Sequence, residues 1–171
     1  MIFYSGFALV YDDRLFEEHL KDDVYTVAGF SLGAIKAFEY ALKAKTRIDT
    51  LQLFSPAFFQ TKNERFKTMQ LGAFSADEKM YLRTFVDNCF FPAPNDGSIE
   101  MGQANYHDLK YLLEYEWDSA KLKELAKKGI TIEVYLGGKD KIIDAKAAFD
   151  FFAPLSVTFL YKEAGHFLKT K

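Results

Sequence analysis

The pentapeptide Gly29-Phe30-Ser31-Leu32-Gly33 sets a serine between two glycines, each two residues away. The strand-like run Val24 to Ala28 precedes it, and the Ala-rich, breaker-free stretch Leu32 to Lys45 follows. A sharp strand-to-helix turn of this kind forces its serine into a strained backbone conformation. The hydroxyl then stands at the carboxyl end of the sheet, above a helix N-terminus. Glycines flank it because strand and helix crowd together there. The chemistry on offer is nucleophilic attack by Ser31, with the helix dipole favouring the negative charge that develops. The same residues also fit a Gly-rich turn that only packs, so partners are required.

A serine hydroxyl is a poor nucleophile until a base takes its proton. The chain has three histidines. His166, in Ala164-Gly165-His166-Phe167, follows the last strand-like run, at the same sheet end as Ser31, and small residues let its loop come close. It is the expected base. His107, in Asn105-Tyr106-His107-Asp108, is the rival, and His19 reads as a packed or surface residue. A carboxylate must orient the imidazole and stabilise its protonated form. Asp140 ends the turn Gly137-Gly138-Lys139-Asp140 after the strand Ile130 to Leu136. Asp144 is the alternative, though it suits a helix first turn, and Asp140 itself also suits a surface turn. An oxyanion site needs two backbone N–H groups. Leu32, directly after the serine, supplies one. Phe7, in Ser5-Gly6-Phe7 after the first strand, is the candidate for the other, or else only plugs the pocket wall.

These residues need a scaffold. Five runs read as strands: Met1 to Ser5, Val24 to Ala28, Thr50 to Phe54, Ile130 to Leu136 and Ser156 to Tyr161. Helical patterns lie between them: a short one carrying Leu15, Phe16, His19 and Leu20, then Leu32 to Lys45, Ala120 to Lys128 and Ile142 to Phe152. Alternation of strand and helix predicts an α/β fold with about five mostly parallel strands. The region Ala57 to Trp117 breaks the alternation and reads as an inserted helical cap. The expected organisation is a core of residues 1–57 and 118–171 with a cap of 58–117, within one domain.

The net charge of -2 points to neither nucleic acid nor an acidic membrane surface. One cysteine, Cys89, excludes an internal disulfide, and no apolar run is long enough to span a bilayer. The opening Met1-Ile2-Phe3-Tyr4 enters strand-like sequence with no charged leader, so a cytoplasmic location is expected. No His, Cys and Asp grouping has metal-ligand spacing, and neither metal nor cofactor is expected.

The elbow around Ser31, then Asp140, then His166 resemble the α/β-hydrolase superfamily in kind and in chain order, over nearly the whole chain. Ser5-Gly6-Phe7 resembles the His-Gly-aromatic oxyanion loop common there, with serine in place of histidine. The short length, the opening Phe3-Tyr4-Ser5-Gly6-Phe7 and the Leu15-Phe16 segment are similar to the compact pimeloyl-acyl-carrier-protein methyl ester esterases of biotin synthesis, the BioV type. The resemblance implies a minimal α/β-hydrolase fold and hydrolysis of a methyl ester at the far end of a pimeloyl chain on acyl carrier protein. A narrow channel lined by cap aromatics (Phe58, Phe59, Phe66, Phe74, Phe90, Phe91, Tyr111) would spare the thioester by depth. Acyl carrier proteins are acidic, so Arg65 and Lys67 are expected to contact the carrier. Two other readings stand beside this one: a general short-chain carboxylesterase or acyl thioesterase, and a non-catalytic acyl-carrier-binding protein on a hydrolase scaffold.

The chain departs from larger α/β-hydrolases in having only one short helix between oxyanion loop and elbow, and in ending soon after His166. Right-handed crossovers in simple strand order would put most helices on one sheet face. The other face would be covered by the Asp12 to Leu20 helix, part of the cap, or a second subunit.

Overall fold

A computed structural model describes residues 1–171. The strands are β1 (Ile2–Tyr4), β2 (Leu9–Val10), β3 (Thr26–Phe30), β4 (Thr50–Phe54), β5 (Glu100–Met101), β6 (Thr131–Gly137) and β7 (Val157–Tyr161). Five of them form a parallel sheet in the order β1-β3-β4-β6-β7. All five residues of both β3 and β4 are buried, as expected for central strands of a parallel sheet covered on both faces. The helices are α1 (Leu32–Lys43), α2 (Glu64–Ala76), α3 (Glu78–Phe90), α4 (Tyr106–Glu114), α5 (Ser119–Lys127) and α6 (Ala145–Phe152). No helix is long and apolar enough to cross a membrane.

Helix starts follow the capping chemistry closely. Asn63, Asp77, Asn105, Asp118 and Asp144 each accept a hydrogen bond from a backbone N–H in the first turn of α2, α3, α4, α5 and α6. Only α1, whose cap is Ser31, lacks such a bond.

Simple strand order puts the helices where right-handed crossovers predict. Ile35 and Phe38 of α1, Leu122 and Leu125 of α5, and Phe152 of α6 pack with Val27, Leu51, Leu53 and Val134 on one sheet face. The second face is covered within the chain. Phe16 stacks on Phe54 and lies tilted against Phe30, with ring centres 4.6 and 5.1 Å apart. Val86, Cys89 and Phe90 at the end of α3, together with Phe167, complete this smaller core. Further down that face, Gln52 donates to the His19 carbonyl, to Glu133 and to the Tyr135 hydroxyl, while Lys21 pairs with Glu133. Beyond this network Val157 and Phe159 of β7 stay exposed.

Several boundaries differ from the sequence expectation, and three of the differences have a clear local cause. The second sheet strand starts at Thr26, because the chain from Lys21 to Tyr25 forms a turn tied by Asp23 and leaves Val24 76% exposed. The early helix is a 3-10 segment, Asp12–Phe16, and His19 and Leu20 lie beyond it. The helix expected from Ile142 starts at Ala145, since Asp144 caps it. The cap region also supplies β5, which pairs antiparallel with β2 in a ribbon too short for any periodicity to announce.

If Phe16 is what closes the second face, Phe16→Ala should cost about 3–5 kcal/mol of stability in urea unfolding. A loss below about 1 kcal/mol would mean this face is held by other contacts.

Candidate active site

Ser31 joins β3 to α1 with φ 52° and ψ −111°, a conformation strained for a residue with a side chain. Its N–H donates to the Phe54 carbonyl at 2.9 Å, and its carbonyl accepts from Ala34 and Ala57. This geometry turns the hydroxyl away from its own helix, so it does not cap α1. The flanking glycines are sterically required. A Cβ on Gly29 would lie 2.2 Å from the Gly33 carbonyl oxygen, and one on Gly33 would lie 1.9 Å from the Tyr4 carbonyl oxygen. The second contact also brings the elbow against the loop that leaves β1.

His166 is fully buried, its Nε2 3.1 Å from Ser31 Oγ and its Nδ1 2.6 Å from Asp140 Oδ2. A carboxylate can only accept, so the proton belongs on Nδ1 and Nε2 is left to accept from the serine hydroxyl. The Asp140 side chain is fully enclosed, and its Oδ1 accepts from the Ile142 and Ile143 N–H groups at 2.7 and 3.1 Å. Both carboxylate oxygens are therefore committed. Asp144 is spent on capping α6, through the Ala147 N–H. His107 sits exposed on α4, and His19 stacks between Tyr135 and Tyr161 on the second sheet face.

The His166 loop is clamped from three sides. The Ser55 hydroxyl donates to the His166 carbonyl at 2.7 Å, and the Phe167 N–H donates to the Cys89 carbonyl at 3.1 Å. Gly165 lies so close to the end of α3 that a Cβ would fall 1.5 Å from the Phe91 carbonyl oxygen. Ser55 was not singled out in the sequence. Its only signal is its place directly after β4, at the sheet end where Ser31 and His166 also lie.

Ser31 opens into a cavity of about 390 Å3 between the sheet and the cap. Phe7, Phe59, Phe66, Phe85, Leu109, Leu112, Leu113, Ile142 and Ile143 give it an apolar wall. Gln70, Thr84, Asn88, Lys62 and Lys141 add polar groups. Of the aromatics expected to line a channel, only Phe59 and Phe66 do so. Phe58 packs on Phe151 and Phe152, and Phe74 packs edge-on against Phe7 and Tyr81. Phe90 faces Phe167 on the second sheet face, Phe91 carries the Lys141 ammonium 3.5 Å over its ring, and Tyr111 packs on Tyr115.

Phe7 is 1% exposed, and its N–H donates to no group in the chain. Leu32 is the first residue of α1, where a backbone N–H has no intrahelical partner. Arg65 is exposed on α2, whereas Lys67 is paired with Glu64 at 3.2 Å, with its side chain only 12% exposed. No cluster of three or more His, Cys, Asp or Glu side chains is placed to hold a metal ion.

No family model matches the chain, and no curated protein matches it in sequence. Solved structures do resemble it. MenH from S. aureus aligns with a TM-score of 0.59 and 16% identity over 96% of this chain and 85% of its own. BioG from Haemophilus influenzae aligns with a TM-score of 0.57 and 11% identity over 97% and 87%. Naproxen esterase (carboxylesterase NP) from Bacillus subtilis gives a TM-score of 0.54 and 16% identity, and the chain spans only 53% of its length. With its parallel sheet, its serine elbow between β3 and α1 and its helical insertion, the chain has the α/β-hydrolase fold.

Proposed function

We propose that this chain is a serine carboxylesterase acting on the methyl ester of pimeloyl-acyl-carrier protein. The observation that carries the serine chemistry is the continuous hydrogen-bonded series Ser31–His166–Asp140, opening into a largely apolar cavity. His166 Nε2 takes the hydroxyl proton as Ser31 Oγ attacks the ester carbonyl, and Asp140 stabilises the imidazolium. The Phe7 and Leu32 N–H groups receive the oxyanion. The tetrahedral intermediate expels methanol, which leaves with the proton from His166. Water, activated by the same imidazole, then releases the carboxylate and frees Ser31.

The acyl part of the reading rests on the resemblance of Phe3-Tyr4-Ser5-Gly6-Phe7 and on the apolar cavity. A chain of methylenes suits walls of Phe and Leu, while the carrier stays outside. Its test is mass spectrometry of the intact carrier after incubation with pimeloyl-acyl-carrier-protein methyl ester. Loss of the mass of one methylene with the thioester retained supports the reading. Release of the whole acyl chain makes the protein a thioesterase. An unchanged carrier, with Ser31 still reactive, points to a general esterase, and an unreactive Ser31 to a non-catalytic scaffold.

Carrier docking is expected to use cations on α2. Arg65 is free to meet an acidic partner, whereas Lys67 must first leave Glu64. The double variant Arg65→Glu, Lys67→Glu should raise KM for carrier-bound substrate by about tenfold, with a gap that narrows as salt is added. An unchanged KM would remove these residues from the docking face.

A further inference from the structure

Three carboxylates have almost no solvent contact: Asp140 faces His166, Glu133 faces Lys21, and Asp12 faces no cation. Asp12 is 3% exposed. Its Oδ2 accepts from the Gly6 N–H at 2.9 Å, and its Oδ1 has no partner. Burial pushes this carboxyl above the usual range, against the opposing pull of the Ser5 hydroxyl and the Gly6 N–H. Burying a carboxyl with one oxygen unpartnered and no cation beside it is costly unless the bond to Gly6 does something.

The bond is made to the loop between β1 and the cavity. Gly6 lies flat on Phe30, where a Cβ would fall 2.5 Å from the ring. On its other flank the Tyr4 and Ser5 carbonyls press on Gly33 of the elbow. Ala8 and Tyr11, both with side chains, are held at φ 57° and 55° to bring Asp12 back over the loop. The Gly6 carbonyl is occupied by the Leu9 N–H, and the Phe7 N–H is left undonated beside the cavity. The β2–β5 ribbon and the Gly102 N–H bond to the Ala8 carbonyl hold the far end of this loop, and the anchored Gly6 amide holds the near end, next to the Phe7 peptide.

We propose that Asp12 is a positioning residue for the oxyanion site: by accepting from Gly6 it holds the Phe7 N–H in place for the carbonyl oxygen of an ester bound at Ser31. This inference rests on the serine-esterase reading. The role needs an acceptor and not a charge, so an amide should serve.

The test uses p-nitrophenyl acetate with the whole chain, and kcat per site titrated to completion with a fluorophosphonate. Loss of one oxyanion donor costs about 10²-fold in kcat, so Asp12→Ala should fall by about that factor with KM changed less than about threefold. Asp12→Asn should stay within about threefold of wild type in kcat. A purely structural Asp12 would lower the amount of titratable enzyme and leave kcat per site alone. If Asp12→Ala does not fold, amide NMR of the wild type decides. The Gly6 amide should exchange slowly, and the Phe7 amide proton should move downfield when Ser31 is phosphonylated. Wild-type kcat in Asp12→Ala overturns the inference, as does an Asp12→Asn variant as slow as Asp12→Ala or an unmoved Phe7 amide. Each of these leaves the esterase reading standing. A wild type that neither turns over nor is labelled at Ser31 overturns both.

Discussion

Alanine at Ser31 or at His166 is expected to lower kcat for ester hydrolysis by about 10⁶-fold, and the double variant should be no slower than either single one. The two side chains act as one unit. The Ser31 hydroxyl is 3.1 Å from His166 Nε2, and neither other imidazole serves it, since His19 stacks on the second sheet face and His107 is exposed on α4. Without the imidazole the hydroxyl keeps its proton. Without the hydroxyl the imidazole has no side-chain nucleophile to activate. The residual rate should come from the Phe7 and Leu32 N–H groups and from binding, which both variants retain. Stopped assays with p-nitrophenyl acetate measure this directly. Strictly additive losses would contradict the coupling, and a His166→Ala variant retaining a tenth of wild-type kcat would show a different base.

The second large effect belongs to Asp140. Asp140→Asn should lower kcat by about 10⁴-fold with the fold intact by circular dichroism. The reason lies in the bonding of both oxygens: Oδ1 accepts from two backbone N–H groups, and Oδ2 accepts from His166 Nδ1. An amide has only one oxygen. If that oxygen keeps Ile142 and Ile143, the NH2 faces His166, moves its proton to Nε2, and makes the base a donor towards Ser31. If the amide flips, the NH2 meets two N–H donors. Asp144→Asn is the control. Asparagine caps a helix as well as aspartate, so α6 and kcat should both be kept. Equal losses in the two variants would undo the assignment of Asp140 as partner of His166.

The parts of this molecule legible in the sequence are those whose signal is local. Gly29-Phe30-Ser31-Leu32-Gly33 carries its own steric logic, because a side chain at Gly29 or Gly33 would strike backbone within the same turn or the adjoining loop. The five parallel strands are legible because each is a short apolar run between turn residues. His166 and Asp140 are one step less local, and they follow from which loops leave the carboxyl ends of strands. What escaped the sequence depends on distant partners. Ser55 matters through a bond to a residue 111 positions on. Asp12 looks like any acidic residue in a turn until Phe30 and the elbow enclose the loop it holds. Phe58 and Phe59 are adjacent, yet one packs on α6 and the other lines the cavity, a difference set by how the cap settles on the sheet. The two-residue strands β2 and β5 are too short to have any pattern at all.

The central claim is that Ser31 is an activated nucleophile, and one experiment reaches it without knowledge of the substrate. Intact protein is treated with a fluorophosphonate, digested and mapped by mass spectrometry, beside His166→Ala. The account predicts a single adduct on the peptide carrying Ser31, formed rapidly in wild type and not in the variant. No adduct, an adduct on another residue such as Ser55, or labelling that is indifferent to His166 would contradict it.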